Sequence, residues 1–356
     1  MNSMSRTMIK PATGAQGKGT TRKLARYAAT LRYEALACFV LGLLVFGIAE
    51  AQQASWSPDR NVEIVIPSGA GGANDTSARI VQQIFQKYGM VGAPIILVNK
   101  PGGAATIGLT YLSQFRGDGH YLLNGAINVL TNHIIGRSKL HYSEFSAVAL
   151  LYNEYLVAVV NADSALKSGR DMLQRLRADP TSLSLAIGAA RGGTAHLAMA
   201  LVAKANGIDA SRLKTVVFQS NAHAATAIMG GHVDVGIILA APALSASKSG
   251  RLRMIGITSQ ARLPGEFADV PTWKEQGGEM DFSASRFILG APDMTAVQIA
   301  YWDSAFGRLV RTEEWRRNLD KEHWVSNYLG SKDTAYYLGK LEIQLRGALF
   351  EAGLVK

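Results

Sequence analysis

Twice in this chain a short apolar run ends in a glycine-rich loop that passes at once into a segment of helical periodicity. Val62 to Ile66 leads into Pro67-Ser68-Gly69-Ala70-Gly71-Gly72-Ala73-Asn74-Asp75, and Ala78, Ile80, Val81, Ile84 and Phe85 then recur at helical spacing. Residues 183 to 187 lead into Gly188-Ala189-Ala190-Arg191-Gly192-Gly193-Thr194, followed by a helix over 195 to 206. A strand, a tight loop and a helix in that order build a parallel α/β layer. Each loop therefore lies beyond the carboxyl end of a strand, where the helix dipole and the amides of its first turn favour an anion.

The same grammar fills the rest of the chain. Around the first loop it predicts strands at 94–98, 121–123, 148–151 and 155–160 and a helix at 107–115 after the turn Lys100-Pro101-Gly102-Gly103. Around the second it predicts helices at 168–178, 221–230 and 242–248 and strands at 215–218, 233–238 and 253–258. A strand at 286–289 and helices at 295–311 and 333–351 form a tail. The expectation is an α/β protein of two units with mostly parallel sheets covered on both faces.

In the first loop the glycines admit a close approach by a ligand, Ser68 and Asn74 add side-chain donors, and Asn74 or Asp75 is placed to cap the helix. In the second, Thr194 is the expected cap. Two such nests suit a ligand carboxylate. Several residues keep two readings. Asp75 is a helix cap or a ligand selector, and Arg191 aims a guanidinium at a carboxylate or is a solvated loop residue. His196 is structural or touches ligand, and Asn128 lines the cleft or caps a helix. Asp234 with Gly230-Gly231 shapes a turn, and Trp302, Trp315, Trp324, Tyr336 and Tyr337 read as packing.

Other chemistries find little support. Gly69-Ala70-Gly71-Gly72-Ala73-Asn74 lacks the third glycine of a dinucleotide fingerprint, and Asn99-Lys100 offers no acid for a ribose. No GxxxxGK[ST] or GxSxG motif occurs, and no two of the 7 histidines are three or four residues apart, so no cofactor, metal or catalytic residue is assigned. The competing class is an exported hydrolase or lyase of small organic acids, with Asp75 and His196 as acid and base.

The formal charge is +10, yet Arg6, Lys10, Lys18, Arg22, Lys23, Arg26 and Arg32 against Glu34 and Glu50 put half of it before residue 52. The remaining excess suits small anions better than nucleic acid. The basic stretch precedes the apolar run Leu36 to Ile48 and the pattern Ala49-Glu50-Ala51, which reads as an export signal cleaved after Ala51. That run is shorter than the roughly 20 residues a membrane span needs. Cys38 is the lone cysteine, so the exported chain carries none, in keeping with an oxidising compartment.

Seven segments in order resemble the extracytoplasmic receptors of tripartite tricarboxylate transporters, the Bug proteins. Pro67 to Asp75 with Ala78-Arg79 resembles their PxxAGGGxD loop and AR pair, Asn99 to Gly103 their NRPGAGG turn, and Asp118 to Leu123 their DGYTLL. Gly192 to Leu197 resembles GSxxHL, Gly230 to Asp234 GGxVD, Gly250 to Arg253 GKLR, and Asp269 to Thr272 DVPT. The resemblance implies a type II periplasmic binding protein with two α/β lobes, a double crossover and a ligand cleft between them. Lobe one would span 58–158 plus 283–356 and lobe two 159–282. It implies capture of a small carboxylate anion in the periplasm and delivery to integral membrane transporter subunits. A further reading keeps the receptor but has its closed form presented to a membrane sensor kinase. Ser68, Gly71, Gly72, Ala73 and Asn74 match the first anion loop, Asp75 the discriminating position, and Gly192, Gly193, Thr194 and His196 the second loop. The chain departs from the pattern at Asn74, where Ser or Thr is usual, and at Arg191, where a small residue is common. It also departs at Val217-Phe218-Gln219-Ser220, where PYKG is usual and Phe218 lacks the tyrosine hydroxyl.

Overall fold

Val62–Ile66 forms the first strand, β1, and the helix after the first glycine loop, α1 (Ala73–Lys87), buries Ala78, Ile80, Val81, Ile84 and Phe85 on one face, as their spacing requires. The computed structural model describes residues 55–355 other than 189, 220 and 279, and the elements below fall within Trp56–Lys356. The expected export signal and its cleavage point lie outside the described residues.

The first half continues with β2 (Ile95–Asn99), α2 (Thr106–Leu112), β3 (Tyr121–Gly125), α3 (Asn128–Ile134) and β4 (Ser146–Asn161). The second comprises α4 (Gly169–Ala178), β5 (Ser184–Gly188), α5 (Thr194–Ala205), β6 (Lys214–Phe218), α6 (Asn221–Met229), β7 (Val235–Leu239), α7 (Ala240–Ser247) and β8 (Leu252–Ile257). The tail holds β9 (Ser283–Gly290), α8 (Ala296–Leu309), α9 (Glu313–Glu322), β10 (Val325–Leu329) and α10 (Ser331–Glu351). Among the tail aromatics Trp302, Trp315 and Trp324 are buried, and Trp324 stacks on Tyr152 of β4.

The strands join one sheet in the order β2-β1-β3-β9-β4-β7-β5-β6, with β8 and β10 also on β4. Two expectations are corrected here. The strands foreseen at 148–151 and 155–160 are one 16-residue strand, because β9 pairs with Tyr152, Asn153 and Glu154 straight through the polar interval. The sheet is mixed rather than mostly parallel. Among the described strands, parallel pairs join β1 to β2 and β3 and β5 to β6 and β7, while β4 runs antiparallel to β7, β8, β9 and β10. The tail supplies β9 and β10, and α10 fastens them: Thr334 Oγ1 accepts from the Leu150 amide at 2.8 Å, and the Tyr337 and Ser285 hydroxyls lie 2.6 Å apart.

This topology fixes where the loops point. The end of β3, Gly125, is level with Phe287 of β9 and through it with Leu150 of β4. The end of β7, Leu239, is level with Leu156. Because β3 runs in the direction of β4 and β7 against it, the two sets of carboxyl ends point toward each other along one strand. Six residues of extended chain separate them, about 20 Å.

Candidate functional site

The glycine pairs of the two loops share one backbone conformation. Gly71 and Gly192 both have φ of +77°, a left-handed value open to glycine at little cost, and Gly72 and Gly193 then cap their helices in extended geometry. In each loop the left-handed glycine donates its amide to a side chain four residues on, from Gly71 to Asp75 Oδ2 and from Gly192 to His196 Nδ1, both at 3.0 Å. Asn74, Asp75 and Thr194 are therefore not the caps expected: the glycine pair moves the caps one to three residues earlier, to Gly72 and Gly193. No side chain caps α1 or α5, so the amides of Ala73 and Asn74 and of Thr194 and Ala195 leave the first turn without a capping acceptor. An anion is the partner such amides suit best.

Asp75 anchors the first loop. Besides the Gly71 amide, its buried carboxylate accepts from Arg79 Nε at 2.7 Å, Arg79 Nη2 at 3.1 Å and Asn99 Nδ2 at 3.0 Å. Burial opposes its ionisation, but these bonds and the Arg79 charge outweigh burial and hold its pKa at about 2. Asn99, at the end of β2, also donates to the Ser68 carbonyl at 3.0 Å. Asn124 of β3 donates to the Asn74 carbonyl and to Ser77 Oγ, each at 2.7 Å. Sequence reasoning missed both asparagines; each directly follows a strand's apolar residues, the only local signal. Ser68 Oγ is buried without a hydrogen-bond partner and lies beside Gly72, at the mouth of the helix.

His196 does the same work in the second loop. Burial, with the charge of nearby Arg191, lowers its pKa to about 4, so at neutral pH the ring is uncharged and Nδ1 accepts. Arg191 is exposed, Thr194 half-buried, and Gly192 and Gly193 buried. Gly192 packs near Ile135, Leu349 and Leu354. With Asp75 and His196 each bonded to its own loop, the acid and base roles foreseen for an enzyme fall to groups already engaged.

The remaining expected residues are less closely gathered. Phe218 ends β6 level with Gly188, at the foot of the second loop. Its half-buried ring lines a cavity of about 530 Å³ with His223, Thr226, Met229, His232 and Arg251, none from a glycine loop. Asn128 opens α3 and is half-buried; Ile127 is the residue before that helix, so Asn128 is not its cap. Among the described residues no group of three His, Cys, Asp or Glu is arranged to hold a metal, and no helix is long and apolar enough to cross a membrane.

The sequence profile described as "Tripartite tricarboxylate transporter family receptor" matches residues 78–349. The chain belongs to this family. It is 26% identical over 266 residues to Protein BugT of Bordetella pertussis, covering 73% of this chain and 79% of that one. MatC from Rhodopseudomonas palustris, solved with bound malate, superposes with a TM-score of 0.69 at 22% identity, covering 84% of this chain and 100% of MatC. R. palustris Rpa4515, solved with adipate, gives 0.74 at 18% identity, covering 83% of this chain and 98% of that one. The receptor family thus shares this α/β fold of periplasmic binding proteins.

Proposed function

We propose that this receptor captures a small carboxylate-bearing anion between two lobes, residues 58–158 with 283–356 and residues 159–282, and passes it to the integral membrane subunits of a tripartite transporter. The observation that carries this reading is the pair of glycine loops without side-chain caps, matched at Gly71-Gly72 and Gly192-Gly193, at strand ends that point toward each other. Ser68, Gly71, Gly72, Ala73 and Asn74 form one anion contact and Gly192, Gly193 and Thr194 the other, with Asp75 and His196 setting their shape. Asn128, Arg191 and Phe218 flank them. Relatives solved with malate and adipate support a carboxylate as cargo. Export to the periplasm, with cleavage after Ala51, completes the reading.

A thermal-shift screen of the chain from residue 52 against mono-, di- and tricarboxylates tests it. A ligand at 100 times its Kd stabilises by about 2.7 kcal/mol, an easily read rise in Tm. No rise with any organic acid, from folded and ligand-free protein, overturns the proposal.

A further inference from the structure

After β2 the chain runs left-handed for four residues. Gly102, Gly103, Ala104 and Ala105 have φ of +122°, +55°, +50° and +92°, and the last two carry a side chain. An alanine in that region is strained because its Cβ crowds the backbone, and such strain persists only where the surroundings enforce it. Asn132 of α3 enforces it here. Its buried side chain places Nδ2 3.0 Å from the Gly103 carbonyl, 2.6 Å from the Ala104 carbonyl and 3.2 Å from Thr106 Oγ1. Arg137 Nη1 donates to Asn132 Oδ1 at 3.0 Å, which orients the amide so that its donors face the turn.

On both of its sides the turn leads to the first glycine loop. Upstream, Asn99 ends β2 and donates to the Ser68 carbonyl and to Asp75 Oδ1, each at 3.0 Å. Downstream, Ala105 is the residue before α2, and α2 lies flush on Pro67: a Cβ at Gly108 would stand 2.9 Å from Pro67 Cβ and 3.1 Å from Pro67 Cα. The far end of α3 meets the other loop. Ile135 directly follows α3, and its Cδ1 would stand 3.4 Å from a Cβ at Gly192. This short helix therefore reaches both glycine loops, one by direct packing and one through a strained turn.

We propose that Asn132 is a positioning residue for the anion site: it holds the turn at residues 102–105 in its left-handed form, so that α3 sets the placement of both glycine loops. This deepens the receptor reading above and rests on it. Without the Asn132 donors the two alanines gain free energy by returning to negative φ, and a turn that does so no longer seats α2 on Pro67. Asn132 itself needs no contact with the ligand. Its effect on binding passes through Ala104 and Ala105, and that dependence separates positioning from simple core packing.

Hydrogen exchange and titration calorimetry of the chain from residue 52, with acetate, malate, adipate and citrate as probes, test the proposal. Ala104→Gly keeps the left-handed turn without the strain. It is expected to raise the denaturation midpoint and to bind within twofold of wild type. Asn132→Ala is expected to bind at least tenfold more weakly and to exchange faster at the Gly71 and Gly192 amides. Asn132→Ala combined with Ala104→Gly is expected to regain at least threefold of that affinity, because a turn under less strain needs less holding. Wild-type exchange at both amides in Asn132→Ala, or no recovery in the double variant, overturns the inference. Should Asn132→Ala fail to fold, the double variant is expected to fold, and its failure to do so overturns the inference as well. A wild type that takes none of the four acids counts against the receptor reading and leaves the exchange rates to decide this one; unaltered exchange with binding intact removes this one alone.

Discussion

The amide of Gly192 donates to Nδ1 of His196 at 3.0 Å, and the same four-residue bond ties Gly71 to Asp75. A neutral imidazole and an ionised carboxylate thus perform one task, holding a left-handed glycine so that the next residues can open a helix with bare amides. The choice of acceptor gives each loop its own response to acid.

For His196 the bond requires an uncharged ring. Its folded pKa of about 4 lies below the ordinary value of 6.5, so the unfolded chain binds the proton more readily. Stability from this site is complete above pH 6.5 and is lost as pH falls toward 4, by up to about 3 kcal/mol. Urea denaturation at pH 7.5 and pH 4.5 checks this. His196→Asn, whose amide oxygen also accepts, should flatten the profile between these values; a wild-type midpoint that does not move over this range contradicts the assignment.

Asp75 responds at lower pH. Its pKa of about 2 is below that of an unfolded aspartate, so its contribution is present above pH 4 and disappears as pH falls through 2, about 2 kcal/mol in all. Asp75→Asn at pH 7 removes the ionised acceptor of Arg79, Asn99 and the Gly71 amide and is expected to cost a similar amount in denaturant titrations. An unaltered midpoint would show that Asp75 does not anchor the loop.

Asn124 joins β3 to the start of α1 through two 2.7 Å bonds and is buried. Asn124→Ala leaves the Asn74 carbonyl and Ser77 hydroxyl without that donor and should destabilise by about 1–3 kcal/mol. Hydrogen exchange should localise the loss to the first turn of α1, and faster exchange spread evenly over the chain would refute a local role.

Much of the scaffold was legible because it rests on local signals. The periodicity of Ala78, Ile80, Val81, Ile84 and Phe85 fixes one face of α1, and Ser168 and Thr295 cap α4 and α8 with Asp171 and Gln298 answering in return. What escaped depends on distant partners. Tyr152-Asn153-Glu154 looks like a break between two strands until β9, more than a hundred residues on, pairs with it. Helix α9 buries only Trp315 and Leu319, too few to show a period, although Thr312 before Glu313 and Glu314 was a readable start. The anchoring roles of Asn99 and Asn124 arise from contacts 24 to 50 residues away and leave no trace in spacing. At the loops, glycine pairs outrank side-chain caps, which is why Asn74 and Thr194 fell inside their helices.

Gly188 is a sharper test of the second loop than either left-handed glycine. A Cβ built there would stand 2.5 Å from Asn221 Oδ1 and 2.8 Å from the Asn221 backbone nitrogen. A side-chain oxygen can swing aside, but the backbone nitrogen opens α6 and moves only with that helix. Gly71→Ala meets nothing within 4 Å and bears only the left-handed backbone penalty, about 1 kcal/mol. Gly188→Ala should therefore cost more, about 2–4 kcal/mol, through overpacking, and should weaken anion binding by shifting the strand end from which the second loop springs. Denaturant midpoints and calorimetric affinities of the two variants, measured side by side, decide it: equal costs would mean that α6 yields freely, and that the second loop is not held in place by Asn221.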